Sequence, residues 1–265
     1  MRNQGRSIVF CVNPNTNVGA LVGLLIGGLL LGGVRVRADD YRSATPPGSH
    51  DGLIPHTARH ATSAWKTAAA RFELEANRHF VARGPGYLYN IESTRTTLVL
   101  KGHRGKGDTP EAATVVTLSF LGANARAAIA GEHKAPGRSN YFIGTDPHSW
   151  RTNVPGYERV RVRSIYPGID LVHYGNGQQL EYDFIVAPQR DPRIIGLRFD
   201  GVDHVTVDRS GDLVLETPQG TLHHVAPRIY QRRGNERVSV AGRYVLHGQE
   251  VGFDVGAYDH ARARD

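Results

Sequence analysis

Cysteine is almost absent from this chain. The 265 residues contain one, Cys11, close to the amino terminus. Everything after it lacks a thiol, which excludes a catalytic cysteine, a thiolate zinc site and a disulfide from that part of the protein. Stability must therefore come from a packed core, and we expect the domain to fold without a metal, a cofactor or a reductant.

Acidic residues are missing from the first 38 positions, which differ in kind from the rest. Arg2 and Arg6 precede an apolar run at 18–34, and the short sequence RVRA follows it. A basic start, an apolar centre and a small final residue are typical of a secretory signal peptide. The pattern predicts that residues 1–38 are such a peptide, cleaved after Ala38.

An uncleaved membrane anchor is the alternative for the same segment. The seventeen residues of the run 18–34 are near the minimum for crossing about 30 Å of hydrocarbon. Gly19, Gly23 and Gly27 recur every four residues, a spacing that lets two membrane helices approach closely. Both interpretations predict that the rest of the chain is secreted, periplasmic or on the cell surface. It would touch a membrane only through this segment.

Strong net charge is also lacking once the first 38 residues are set aside. The whole chain carries +7, and removing four arginines and no acids leaves 28 basic against 25 acidic residues, or +3. Nucleic-acid binding needs a concentrated basic face, so we expect no nucleic-acid partner.

The remaining chain divides by composition into a linker, a domain and a short tail. Residues 39–62 are polar with scattered proline and histidine, as expected of a flexible linker. The next residues, SAWKTAAARFELEA (63–76), predict one short N-terminal helix, because Trp65, Ala68, Ala69, Phe72 and Ala76 recur at helical spacing. The β-rich domain is predicted over 63–260 and a tail over 261–265.

Apolar and polar residues alternate from Arg78 onward. TVVTLSFL (114–121), LVLET (213–217) and AGRYVLHGQEVGFDVGAY (241–258) all follow period two and are separated by Gly, Pro, Asn or Asp. About a dozen short strands at intervals of roughly ten residues predict a mainly β fold, an antiparallel sandwich or barrel-like arrangement.

One short stretch inside this region predicts a single helical turn. TDPHSW (145–150) places Asp146 as the cap and Pro147 at the first position of the turn. We expect Trp150, which follows directly, to anchor the turn to the core.

Six longer stretches carry a resemblance to a known family. They are ARGPGY (82–87), GRSNYFIGTDPHSWRTNVPGYERVR (137–161), YPGIDLVHYG (166–175), QLEYDFIVAP (179–188), GDLVLETPQG (211–220) and AGRYVLHGQEVGFDVGAYD (241–259). On these stretches the chain resembles the uncharacterised β-rich domain that precedes SBBP-type β-propeller repeats in bacterial cell-surface proteins. The resemblance implies an extracytoplasmic module of unknown molecular activity, and it supplies no catalytic residues.

The stretch YPGIDLVHYGNGQQLEYDF (166–184) predicts a β-hairpin with acids on one face. With Asn176 and Gly177 as the central turn residues, Asp170 lies opposite Asp183, and Glu181 lies on the same face. The other face is apolar and is predicted to be buried: Ile169 opposite Phe184, Leu171 opposite Tyr182, and His173 opposite Leu180.

Two main interpretations of this acid face stay open. The preceding strand, YERVRVRS, puts Arg159, Arg161 and Arg163 on one face, where they would pair with the acids in a salt-bridged ladder. Alternatively, Asp170 and Asp183, with Glu181, bind a cation or form the carboxylate pair of a hydrolase, since opposed Asp side chains stand about 5 Å apart in retaining glycosidases. Neighbouring arginines would keep both acids ionised, which favours the ladder.

A second acidic stretch, DRSGD (208–212), has two interpretations, a metal site and a hairpin turn. Asp208 and Asp212 are spaced like acids of a calcium loop and are the alternative metal ligands. Arg209 interrupts the pattern and a distal acid is missing. A hairpin turn with Gly211 in the left-handed conformation explains the stretch without a metal.

The remaining histidine and glycine motifs favour structural roles. His56 and His60 have ligand spacing but lie in the linker without a third ligand. His223 and His224 would point to opposite faces of a strand. The Gly-rich KGHRGKGD (101–108) lacks the Walker pattern and predicts a loop, and there is no GxSxG sequence.

These observations predict a non-enzymatic extracytoplasmic β-domain of a bacterial surface protein, acting in surface assembly or in binding a glycan or a protein. The alternatives are a carbohydrate-active hydrolase that uses the Asp170/Asp183 face and a purely structural cap of a β-propeller. The expected partners are β-propeller repeats, another surface protein or a glycan.

Overall fold

The alternating sequence forms antiparallel sheets in the computed structural model of this chain. The structure describes residues 8–12, 14–15, 70–75, 79–84, 86–101, 112–176, 179–233 and 236–259, and for 8–12, 14–15, 179 and 233 it describes the backbone alone. Within these residues, the regular elements are nineteen strands and two single 3-10 turns.

The elements have the following bounds. In chain order the strands are β1 (Ile8–Val12), β2 (Pro14–Asn15), β3 (Phe72–Leu74), β4 (Phe80–Gly84), β5 (Tyr87–Ile91), β6 (Arg95–Leu100), β7 (Thr114–Leu121), β8 (Ala128–Tyr141), β9 (Arg151–Tyr166), β10 (Ile169–Asn176), β11 (Gln179–Val186), β12 (Gly196–Asp200), β13 (His204–Val207), β14 (Leu213–Thr217), β15 (Gly220–His224), β16 (Arg228–Arg233), β17 (Glu236–Val240), β18 (Gly242–His247) and β19 (Glu250–Val255). The 3-10 turns span Pro147–Ser149 and Pro192–Ile194.

The strands form two sheets in which every described pairing is antiparallel. The larger sheet runs in the order β17, β16, β1, β11, β10, β9, β3, β4, β5, β6, β7, β12, β19, β18, and β8 is attached to β9. The smaller sheet has the order β13, β14, β15, β2. The prediction of a mainly antiparallel β fold is confirmed. Many neighbours in each sheet are also consecutive in the chain, so short hairpins supply much of the pairing.

The core lies where the apolar faces of the two sheets meet. In β7 the alternate residues Thr114, Val116, Leu118 and Phe120 are buried, and the residues between them are exposed or half-buried. The same buried cluster includes apolar residues of the smaller sheet: Leu213, Leu215 and Leu222. Period-two alternation therefore separates core from surface along these strands.

The β10–β11 hairpin keeps its predicted faces. Ile169, Leu171, Tyr182 and Phe184 are at most 1 % exposed, which confirms the predicted buried face. His173 is buried with them.

The predicted register of this hairpin is wrong by two residues. Asn176 pairs with Gln179, so Asn176 belongs to the ladder and is not a central residue of a two-residue turn. As a result, Asp170 lies opposite Ile185, and Asp183 lies opposite Val172. A shift of two leaves every side chain on its own face, whereas a shift of one would invert them all.

The predicted N-terminal helix does not extend through its last residues. Phe72–Leu74 forms β3, which pairs with β4 and β9, and Trp65, Ala68 and Ala69 lie outside the described residues. Phe72 is fully buried opposite Ala82 and Tyr157. Pairing on both sides of β3 outweighs the weak helical preference of the segment.

The backbone of β1 lies between β11 and β16 and is antiparallel to both. These residues belong to the segment predicted to be a signal peptide or an anchor, which stays a prediction. Among the described residues, none of the helical segments has the length and apolar character needed to cross a bilayer. The apolar run 18–34 lies outside the described residues.

We expect Phe184→Ala to lower the free energy of unfolding by about 3–5 kcal/mol, since it would leave a cavity in the core. Phe184 is fully buried against the rings of Phe120, Tyr182 and Phe253. The control, Ile185→Ala, lies on the other face of β11 and is half-buried, so it should cost about 1–2 kcal/mol. Urea unfolding of both variants measures the difference, and equal losses would contradict this assignment of the faces.

Candidate functional site

The acid face of the β10–β11 hairpin is occupied by structural contacts. Arg161 of β9 donates to Asp170 at 3.2 Å and to Glu132 of β8 at 2.7 Å. The backbone N–H of Ser164 also donates to Asp170, at 2.8 Å. The predicted pairing of an arginine with this acid is therefore confirmed, and Glu132 is a second partner that the sequence did not indicate.

The other two acids of this face have partners within their own hairpin. The hydroxyl of Tyr174 donates to Asp183 at 2.8 Å, and the side-chain amide of Asn176 donates to Glu181 at 3.0 Å. Asp183 and Asp170 lie two positions apart along the ladder and do not oppose each other. The carboxylate pair on which the hydrolase alternative was based is thus not formed as predicted.

The DRSGD stretch forms the predicted turn. Gly211 has a φ of 86°, and the backbone N–H of Asp208 donates to the carbonyl of Asp212 at 2.9 Å. The Asp208 carboxylate accepts the N–H groups of Ser210 and Asp212 at 2.8 and 3.0 Å. Hydrogen bonding within the loop accounts for the Asp208 carboxylate, as is common in Asx turns, and the Asp212 carboxylate accepts the Ala226 N–H at 2.7 Å.

His223 and His224 point to opposite faces of β15, as predicted. His223 is exposed, and potential ligand atoms of Asp208, Asp212 and His223 lie within 4.8 Å of one another. His224 is buried. Of the remaining histidine and glycine motifs, His56, His60 and 102–108 lie outside the described residues.

The β8–β9 hairpin carries an exposed apolar end that we call the hairpin tip, residues 142–150. Phe142 and Ile143 are each 57 % exposed. The predicted turn is confirmed within it, since the 3-10 turn at Pro147–Ser149 begins after Asp146, whose carboxylate accepts the His148 N–H at 2.9 Å.

The prediction that Trp150 anchors this turn to the core is wrong. Trp150 is 38 % exposed and packs edge-to-face on Phe142, with ring centroids 5.2 Å apart. Its indole N–H donates to the carbonyl of Gly144 at 3.3 Å. The tip lies at the far end of a hairpin whose arms have 14 and 16 residues, so its aromatic residues pack on each other instead of on the core.

A polar cluster fixes the arms of this hairpin to β3 and β4. We call it the Glu73/Glu75 cluster, and it comprises Arg71, Glu73, Glu75, Arg83, Ser139, Tyr141 and Arg151. Glu73 is 4 % exposed and accepts hydrogen bonds from Ser139 and Tyr141 of β8 and from Arg71 at 3.2 Å. Arg71 also donates to the backbone carbonyl of Gly137 at 3.1 Å.

Glu75 forms the second half of the cluster. It pairs with Arg83 at 2.7 Å and with Arg151 of β9, which also donates to the carbonyl of Leu74 at 2.9 Å. Burial raises the pKa of Glu75, but the hydrogen bonds and charges of Arg151 and Arg83 outweigh it, so the pKa is lower than usual. Both acids are therefore tied to the base of the hairpin tip.

Sequence reasoning missed the Glu73/Glu75 cluster and the tip for different reasons. The partners of Glu73 lie 66 and 68 residues away in the chain, so no local pattern could reveal them. The tip does have a local pattern, since Phe142, Ile143 and Trp150 flank a capped turn. Of the three, only Trp150 had a predicted position, which was the core, whereas all three residues form an exposed surface.

A chain of buried tyrosine and histidine side chains crosses the core. His224 Nε2 lies 2.9 Å from the Tyr182 hydroxyl, and its Nδ1 lies 2.9 Å from the Tyr244 hydroxyl. Because Tyr244 donates to the Val225 carbonyl at 3.0 Å, it accepts from Nδ1–H of a neutral imidazole. His173 Nδ1 lies 3.2 Å from the Tyr89 hydroxyl.

Burial lowers the pKa of His173 and of His224 to about 3. Both rings are thus neutral at physiological pH. A cavity of about 50 Å³ borders Tyr182 and His224, which is room for a few water molecules at most and too little for a sugar or a cofactor.

These features define an all-β domain whose close acid–arginine contacts serve structure and whose distinctive surface is an exposed apolar tip. Residues 65–263 match the model of a family described as a domain of unknown function, DUF7948, and the chain belongs to that family. This confirms the coarser part of the resemblance, an uncharacterised domain. Comparisons with curated proteins and with solved structures give no significant match.

We expect the stability of the domain to fall as the pH drops from about 6.5 toward 3. In that window His173 and His224 are protonated in the unfolded chain but neutral in the folded one, so the unfolded state binds more protons. Their stabilising contribution is complete above pH 6.5. Below that pH, each histidine lowers the free energy of unfolding by up to about 1.4 kcal/mol per pH unit.

Urea unfolding at several pH values measures this slope. His224→Gln should remove one of the two histidine contributions, whereas His247→Gln, at an exposed position, should leave the slope unchanged. An identical slope in wild type and His224→Gln would contradict the assignment.

We expect Glu73→Leu to lower the free energy of unfolding by about 3 kcal/mol, because it leaves the half-buried hydroxyl groups of Ser139 and Tyr141 and the charge of Arg71 without their carboxylate partner. Asp254→Ala is the control, since Asp254 forms an exposed pair with Arg243 and should cost about 0.5 kcal/mol or less. Amide exchange in the arms of the β8–β9 hairpin should also quicken in Glu73→Leu alone. A loss no larger than that of the control would contradict the role of the cluster.

Proposed function

We propose that this protein is a non-enzymatic extracytoplasmic domain of a bacterial surface protein, and that it binds a partner protein during surface assembly through its hairpin tip. The observation that carries the proposal is the exposure of Phe142, Ile143 and Trp150 together at the end of one hairpin. Exposed apolar side chains are normal when scattered, but a contiguous group with a polar rim indicates an interaction site.

The tip has the features of a rigid anchor. Phe142 and Trp150 hold each other edge-to-face, and Asp146 caps the turn between them. The Glu73/Glu75 cluster fixes both arms behind the tip. Pre-ordered aromatic side chains lose little conformational entropy on binding and are enriched among the residues that dominate interface energies.

The chemistry of the tip favours a protein over a glycan. The indole N–H of Trp150 is already bonded to the Gly144 carbonyl, so it is not offered to a sugar hydroxyl. A projecting apolar group fits an apolar pocket on a protein, whereas glycan recognition needs several convergent polar groups. The resemblance to domains that precede SBBP-type β-propeller repeats supports this proposal, because such repeats would be a neighbouring protein surface.

The test is binding of the purified protein to cell envelopes from a bacterium that expresses it. The double variant Phe142→Ser/Trp150→Ser should bind at least tenfold more weakly, since two anchor residues each contribute 1 kcal/mol or more, about tenfold per 1.4 kcal/mol. A photo-reactive side chain at position 142 should crosslink to an envelope protein, and protease treatment of the envelopes should abolish binding.

The matched control is Ile194→Ser, which removes an apolar residue that is 46 % exposed in the other 3-10 turn. It should bind like the wild type, and all three proteins should melt at similar temperatures. Binding that survives protease but is lost after glycan removal would refute a protein partner, and equal binding by the double variant would refute the tip as the site.

A further inference from the structure

The larger sheet contains a position filled only by the first strand of the chain, which we call the strand slot. It is the gap between β11 and β16, and β1 makes five residue pairs with β11 and four with β16. Val9 pairs with Ile185 on one side and with Tyr230 on the other. Since β1 is antiparallel to both walls, β11 and β16 are parallel to each other.

Each wall of the slot also contacts parts of the domain other than β1. Phe184 of β11 is fully buried, and Ile229 and Gln231 of β16 are 3 % and 2 % exposed. The amide of Gln231 donates to the carbonyl of Asp259 at 2.6 Å. Walls separated by one strand stand about 9.6 Å apart, so pairing them directly would require a movement of about 5 Å. Loss of β1 therefore leaves an open slot.

Both interpretations of residues 1–38 take β1 away from the domain. Cleavage after Ala38 would release it, and a membrane span over 18–34 would hold it on the opposite side of the bilayer from the domain. The inference below deepens the proposed function, and it rests on that proposal for the extracytoplasmic location.

We propose that the strand slot accepts an extended segment of a partner protein, antiparallel to β11 and β16. An open slot has N–H and C=O groups without a strand partner along two strands, and one extended peptide can bond to both rows at once. Positions 8, 10 and 12 pair with Val186, Phe184 and Tyr182, which are core residues. The incoming segment therefore needs apolar residues at alternate positions, a pattern that the sequence IVFCV itself satisfies.

The slot is tested on the full chain with a specific protease site inserted in the linker, 39–62. After cutting, a fluorescent peptide of residues 7–17, with Cys11→Ser to prevent oxidation, should replace the leader fragment in a one-to-one complex, measured by anisotropy and native mass spectrometry. The uncut chain should bind it at least tenfold more weakly, because its own β1 competes within the same molecule.

The same peptide with Val9→Pro is the matched control. Proline removes a ladder donor and clashes in the middle of a strand, so uptake should fall at least tenfold. No uptake of the unmodified peptide by the cut chain, or equal uptake of the proline peptide, would overturn the slot. The Phe142→Ser/Trp150→Ser variant should take up the peptide normally. A result that refutes the strand slot is therefore distinguishable from one that refutes binding through the hairpin tip.

Discussion

Alternation along β9 is the constraint on which most of the described structure depends. This strand of 16 residues pairs with β8, β10 and β3, so three parts of the chain take their positions from it. Val160 and Val162 are fully buried on one face, and Arg161 and Arg163 on the other face reach Glu132. Because side chains alternate strictly in a strand, one sequence of Arg and Val supplies both a core face and an ion-paired face.

Period two in the sequence was enough to predict the fold class and the faces of the β10–β11 hairpin, but not its pairing. The face on which a side chain lies depends only on whether its position is odd or even along the strand, which the sequence shows directly for residues such as Leu171 and Phe184. The pairing depends on which residues form the turn, and two registers that differ by two residues put every side chain on the same face. In the structure Asn176 pairs with Gln179, which sets the register. The helix predicted around Phe72 was wrong because pairing with β4 and β9 outweighs the weak local preference for a helix.

The acidic residues considered as functional candidates all make structural contacts in this fold. Asp170, Glu73 and Glu75 each contact an arginine, and hydrogen bonds from neighbouring residues hold the carboxylates of Asp183 and Asp208. A carboxylate that accepts hydrogen bonds from an arginine joins neighbouring strands, so these contacts serve the fold. What distinguishes the surface is instead the exposed apolar hairpin tip, which is the basis of the proposed binding role.

Strand β1 determines whether the strand slot is filled. Its sequence, IVFCV, is rich in β-branched and aromatic residues, and this composition favours a strand. While it is attached, β1 completes the ladder between β11 and β16, so neither of these two strands offers an open edge to a wrong partner. Once it is separated, the sheet regains two rows of unpaired backbone groups. Strand exchange would then follow export, because the segment that fills the slot is the segment predicted to stay behind.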